Sequence, residues 1–205
     1  MASPASTYLS GEVVQTSGAT SEPHDLLHQC ETTMERAPMH AFDELVKHGA
    51  EFSLAALNDA NQKVVLALEK SAATPLVKAL QMLQLQKAVL AVGMFSIFEA
   101  TLQDELNCEK GFQAAAESLD GRGECALKER FVVMQDAINV LKHGRGRSYD
   151  KLVSTAAALS FRIKLPDEDF FNEGDVSGVS TLIDVDDAFV RACAAIISEV
   201  SAALE

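Results

Sequence analysis

Apolar residues recur along most of this chain at helical spacing. The clearest run follows Thr74 and Pro75, which read as an N-cap and a proline at the first helical position. Leu76, Leu80, Leu83, Leu90, Met94, Ile97 and Thr101 then form one apolar stripe, interrupted by Lys87, and predict a long core helix reaching about Leu106. A second run, Cys125 to His143, places Leu127, Phe131, Met134, Ile138 and Leu141 at steps of four, three, four and three, and Gly144 stops it. Between them Phe112 to Leu119 predicts a short helix ending at the Asp120-Gly121 turn. Upstream, Phe42, Leu45, Phe52, Leu57, Val64 and Leu68 predict a helix from about His40 towards Lys70. Gly49 is a place for it to break or kink, and Asn58, Asp59 and Asn61 weaken it, so two helices also fit. Before that, Ser21 and Pro23 open a helix running to about Arg36, ahead of Pro38. Residues 1–20, rich in Ser, Thr, Ala and Gly, read as a flexible tail or a short docked strand at Glu12 to Gln15.

Beyond Gly144 the pattern changes. Phe161, Ile163 and Leu165 alternate with Arg162 and Lys164, and Val179, Thr181, Ile183 and Val185 alternate again. These two runs are expected to pair as a ribbon around an acidic loop, Pro166 to Gly178. Asp184 is then expected to cap a last helix, Asp186 to Leu204, with Phe189, Cys193, Ile196, Ile197 and Val200 inward. The expected fold is mainly α: a bundle of four to six helices with a small β appendage near residues 160–185. Residues 21–205 form one domain, and the 75–106 and 125–143 helices pack antiparallel at its centre.

Composition narrows the function classes. The 205 residues carry a net charge of −13, and an acidic surface gains nothing from releasing counterions of a phosphate backbone. Broad non-specific nucleic-acid binding is disfavoured, whereas a local basic patch is not. Cys30, Cys108, Cys125 and Cys193 lack C-x-x-C or zinc-like spacing and read as reduced thiols. No basic residue precedes Arg36, so the N-terminus lacks a signal-peptide n-region. The apolar stretch Ala88 to Phe98, eleven residues, is short for a bilayer span. Together these imply a cytoplasmic location, with no membrane partner. His24 and His28 lack the glutamate of a zinc helix, and Asp167, Glu168, Asp169, Glu173 and Asp175 lack calcium-loop spacing. No metal site, cofactor motif, phosphate loop or nucleophile elbow is present in the pattern, and no cofactor is expected.

One segment concentrates chemistry. Gln135, Asn139 and His143 stand four apart on one helix face, bordered by Asp136 and Lys142. Arg145, Arg147, Tyr149 and Lys151 follow. From Lys142 to Lys151 four basic residues meet one acid, Asp150, a local charge of +3. Imidazole moves protons near neutral pH, and cationic side chains hold phosphates, which suggests an anion or RNA site. The other reading is a helix stop: Lys and His in a last turn before glycine are favoured by the helix dipole and need no ligand.

The run Ile138-Asn139-Val140-Leu141-Lys142-His143-Gly144 resembles the end of the motif helix of HEPN-domain proteins. The upstream run Gly93-Met94-Phe95-Ser96-Ile97-Phe98-Glu99 resembles their long helix with an aromatic–acid pair. The likeness covers about residues 75–155. It implies a helical bundle, a homodimer, and metal-independent ribonuclease chemistry of toxin–antitoxin or defence systems. It makes Asn139 and His143 the catalytic candidates, lining a cleft shared by two chains. Lys142, Arg145, Arg147 and Tyr149 would bind RNA or another anion, with Glu99 as a candidate supporting acid. The family's motif arginine would fall at Ile138, so weak or absent cleavage is expected. The alternative is a non-catalytic interaction module that docks a basic protein partner on the acidic loop and last helix.

Overall fold

The structure is a computed structural model that describes residues 39–71, 73–168 and 176–205. The expected tail, the Glu12–Gln15 strand, the helix after Ser21 and the His24/His28 pair lie outside the described residues, as does most of the acidic loop. From Ala37 onward the chain is one compact unit. Its helices are α1 (Met39–Leu68), α2 (Thr74–Glu105), α3 (Gly111–Gly121), α4 (Cys125–His143), α5 (Arg147–Ser154) and α6 (Asp187–Leu204), with a 3-10 turn at Ala156–Ala158. The expected helical bundle is what forms.

Gly49 does not break α1, which runs unbroken for 30 residues. An interior glycine costs about 1 kcal/mol relative to alanine. Val46, Ala50 and Leu54, all buried beside it, outweigh that. α1 packs most extensively on α6 and on α2. Polar contacts mark the α6 side: Ser198 Oγ donates to Asp43 at 2.9 Å, Asn58 Nδ2 to Asp187 at 2.6 Å, and Arg191 pairs with Glu51.

α2 begins one residue earlier than expected, at Thr74. Ala73 is the N-cap, without a side-chain bond, and Thr74 is already helical ahead of Pro75. Its buried face is Leu80, Ala88, Ala91, Met94, Phe95, Phe98 and Leu102. Leu76, Leu83 and Leu90 from the expected stripe are only half-buried, and Ile97 is exposed. The reason is compositional: α2 is apolar on most sides, so periodicity alone cannot select the inward one. By length and composition it is also long and apolar enough to cross a membrane, with mean hydropathy 1.4 over 18 residues, which revises the eleven-residue estimate. Here its buried face meets α1, α3, α4 and α6.

An aromatic cluster ties four helices together. Phe98 stacks on Phe42 of α1 at 6.2 Å and 5°, and meets Phe131 of α4 edge-on at 6.3 Å. Phe112 of α3 meets Phe131 at 5.5 Å and Phe95 at 5.9 Å, both edge-on. Each such pair adds about 0.5–1.5 kcal/mol beyond area burial. α3 sits close because residue 111 is glycine: a Cβ there would lie 2.6 Å from the Glu99 carbonyl oxygen.

The expected β ribbon does not form among the described residues. Ile163 and Ile183 make a single antiparallel bridge, with Lys164 N–H donating to Leu182 O at 2.8 Å and Asp184 N–H to Arg162 O at 3.0 Å. Both isoleucines are buried, and Phe161 packs edge-on against Phe189 at 5.3 Å, so the alternation reflects docking onto α6. The cap of α6 is Asp186, whose Oδ1 accepts from Phe189 N–H at 2.7 Å, not Asp184. The five residues expected to face inward on α6 are all buried.

Candidate functional site

The site grows from the end of α4. Leu127, Phe131, Met134, Ala137, Ile138 and Val140 anchor that helix in the core, while Leu141 is half-buried. Ile138, at the position of the motif arginine, is 2% exposed, so no side chain from that position reaches the surface site. Towards the end of the helix Asn139 is half-buried and both Lys142 and His143, in the last turn, are exposed. At about 100° per residue, Asn139 and His143 lie about 40° apart on one face. Neither has a side-chain hydrogen bond to another described residue.

Gly144 closes the helix with φ +75°, its N–H donating to Val140 O at 2.8 Å. That conformation suits glycine because a Cβ would clash with its own backbone. The chain then turns back on α4 and forms α5, a helix that periodicity missed because it spans only eight residues. Asp136 holds it. Its Oδ1 accepts from Ser148 Oγ at 2.8 Å, and its Oδ2 pairs with Lys151 Nζ at 2.6 Å. Tyr149 is buried and its hydroxyl donates to Lys164 O at 2.8 Å. The Arg145 guanidinium lies over the Tyr149 ring, 5.7 Å from its centroid, an attraction of about 0.5–1 kcal/mol at an exposed position.

Of the candidate residues, the fold gathers Asn139, Lys142, His143, Arg145, Arg147 and Tyr149 around one helix–turn–helix. Tyr149 serves as its buried anchor, and its hydroxyl is spent on the backbone. Lys142, Arg145 and Arg147 are exposed, and none pairs with a carboxylate of a described residue. Lys151, by contrast, is committed to Asp136. The residue that sequence reasoning passed over is Ser148; Asp136 was seen to border the face of Asn139 and His143, but not to be the link to α5.

Glu99 does not join this group. It follows Phe98, whose ring meets Phe131, and Phe131 precedes His143 by twelve residues, about 18 Å of helix rise. Among the described residues no cluster of acids, histidines and cysteines has metal-binding geometry. Cys193 is buried against Met134, with sulfurs 3.6 Å apart, and burial pushes its thiol well above the ordinary range, so it is unreactive. Two surface cavities lie elsewhere. One of about 540 Å³ separates α4 from α6 beside Met134, Leu159 and Ile196, and one of about 500 Å³ lies beside Arg162, Glu168 and Asp184. Neither is lined by Asn139 or His143.

Comparison of the chain with protein-family models, curated proteins and solved structures finds no match.

Proposed function

We propose that this chain is a cytoplasmic HEPN-like protein that binds single-stranded RNA, or a nucleotide, at the α4–α5 turn, with weak or absent ribonuclease activity. One observation carries the reading: Lys142, His143, Arg145 and Arg147 are exposed together, without carboxylate partners among the described residues, on a chain of net charge −13. At physiological salt the Debye length is about 8 Å, so remote acids are screened while this cluster acts on a phosphate it touches. The turn supports the same use. Gly146 caps α5 without a side chain, which leaves first-turn amides to face an anion.

In this reading Asn139 orients His143 or a bound phosphate, and His143 assists proton transfer if a ribose 2′-hydroxyl attacks. Catalysis suffers because Ile138 is sealed in the core and the guanidiniums of Arg145 and Arg147 come from across the turn. Stabilisation from across the turn is hard to place at the scissile phosphate, where a displacement of about 1 Å can cost 100-fold.

The interaction-module alternative has less behind it. α6 is largely a core helix, and its charges are engaged within the protein: Asp187 with Asn58 and Lys87, Arg191 with Glu51, Glu199 with Arg130.

The test is salt-dependent binding of a short single-stranded RNA. Three phosphate contacts predict a slope of log K against log salt of about −2. Replacing Lys142, Arg145 and Arg147 by alanine should abolish most of the affinity and flatten that slope. An unchanged slope would remove the turn from the binding surface. Any cleavage observed should vanish in His143→Ala, and equal cleavage by both proteins would remove His143 from the chemistry.

A further inference from the structure

The cavity of about 540 Å³ between α4 and α6 has no part in RNA binding. α4 gives it Glu129, Arg130, Val133 and Met134, and α6 gives it Ala192, Ala195, Ile196 and Glu199. Each set steps by three and four, so each belongs to one side of its helix. The two sides do not close on each other because α6 presents alanine at 192 and 195, where larger side chains would fill the gap. The remaining wall is the segment after α5, through Leu159, Ser160 and Phe161. Phe161 is held in it by its edge-on contact with Phe189 at 5.3 Å.

The size is that of a ligand site. Packed helices leave few voids larger than a water molecule, whose share of liquid volume is about 30 Å³. Small-molecule sites occupy about 300–1,000 Å³ and combine apolar walls with a few polar groups. Here the floor is Met134 and Ile196, both buried, and the walls are the half-buried Val133, Leu159 and Phe161. The polar groups are at the mouth. Arg130 and Glu199 pair there at 2.5 Å, with side chains 58% and 44% exposed. Glu129 is exposed and has no partner among the described residues, and the same holds for the Ser160 hydroxyl.

The charges select the ligand. Two carboxylates and one guanidinium line the cavity, and the guanidinium is already committed to Glu199. An anionic ligand would have to displace Glu199 while lying near Glu129. A cation meets the unpaired carboxylate of Glu129 directly, on a chain whose net charge of −13 attracts it. The apolar floor suits a ring, because the polarisable Met134 thioether makes favourable contacts with aromatic groups. We propose that this cavity binds a small arylalkylamine, its ring against Met134, Ile196 and Phe161 and its ammonium group at the mouth beside Glu129. None of Asn139, Lys142, His143, Arg145 or Arg147 lines the cavity, so the site stands or falls separately from RNA binding.

The experiment is titration of the isotopically labelled full chain with phenethylamine, phenethyl alcohol and hydrocinnamate, following the methyl signals of Met134 and Ile196. The three probes share a ring and a two-carbon chain and differ in charge. Phenethylamine is expected to bind on the order of 10-fold more tightly than hydrocinnamate, with the alcohol between them. Ala195→Phe fills the cavity from an exposed position and should abolish binding of all three, with a circular dichroism melt to confirm the fold. Glu129→Gln changes charge and not packing, so it reads the preference whatever Ala195→Phe does to the fold; it should bring amine and alcohol to within about two-fold of each other. The proposal is overturned if neither methyl signal moves with any probe, if a folded Ala195→Phe binds as the wild type does, or if hydrocinnamate binds as tightly as the amine. An amine preference that survives in Glu129→Gln also overturns it, because the ammonium group would then lie elsewhere.

Discussion

Asp136→Ala should release α5 from α4 while leaving the rest of the bundle intact. Among the described residues, Asp136 is the one side chain that joins the two helices by polar contacts, through Ser148 at 2.8 Å and Lys151 at 2.6 Å. The Ser148 bond goes to a half-buried charged acceptor, a class worth about 1.5–3 kcal/mol. The Lys151 side chain is 54% exposed, so solvent screening reduces that pair to about 0.5–1 kcal/mol. Together they come to about 2–4 kcal/mol, and at 1.4 kcal/mol per decade this is roughly a 30- to 700-fold change in the opening equilibrium of α5. Native-state hydrogen exchange reads that directly: amides of residues 150–154 should lose protection by that factor, while those around Phe98 and Ile197 keep theirs. Because α5 carries Arg147 and anchors the turn through Tyr149, RNA affinity should fall as well, without any change at Asn139 or His143. Unchanged protection in α5 would refute the idea that Asp136 holds the turn in place. A uniform loss across all helices would show that the contact stabilises the whole fold rather than this corner.

Three further outcomes follow from particular contacts. Gly111→Ala forces a Cβ to 2.6 Å from the Glu99 carbonyl and 2.9 Å from the Leu102 side chain, so thermal unfolding should report a loss of about 1–3 kcal/mol from overpacking; an unchanged melt would contradict that close approach. Ser201→Ala removes a buried hydroxyl that has no partner among the described residues, so it should be neutral or raise stability by up to about 1 kcal/mol, and a clear loss in urea unfolding would reveal an unrecognised bond. At Asp187, burial raises the carboxyl, but hydrogen bonds from Asn58 and Lys87, with the charges of Lys87 and Arg191, outweigh it and hold it below the ordinary aspartate range. A depressed folded value gives stability that is present above about pH 4 and is lost as pH falls through the folded value. The stability gap between wild type and Asp187→Asn should therefore close on acidification, and a gap that persists or widens would reverse the assignment.

The parts of the fold that were legible in the sequence are those where one face alone is apolar. On α4 the steps of Leu127, Phe131, Met134 and Ile138 match the buried face, and both ends fall where Cys125 and Gly144 suggested. On α6 all five expected residues are buried. α2 defeated the same reasoning because its apolar residues surround it: Ile97 looked like core and is solvent-facing, whereas Phe98, the hub of the aromatic cluster, was not in the expected stripe. The alternation at 161–165 and 179–185 misled for a different reason. One bridge, Ile163 to Ile183, suffices to dock both segments on α6, so the inward and outward pattern of a strand arises without a sheet. At the candidate site, local spacing placed Asn139 and His143 on one face and the cations around the turn. It could not show that Asp136 recruits Ser148 and Lys151, since that contact depends on the chain reversing at Gly144 and Gly146. Nor could spacing separate Glu99 from the site, because the distance is set by how α2 and α4 are stacked through Phe98 and Phe131.

The central claim, that RNA is held at the α4–α5 turn, is most directly tested by titrating isotopically labelled protein with a short single-stranded RNA and following backbone amide shifts. The account predicts that the largest changes cluster from Asn139 to Tyr149 and disappear when Lys142, Arg145 and Arg147 are replaced by alanine. Shifts confined to the cavity beside Met134 and Ile196, or no shifts at saturating RNA, would contradict it.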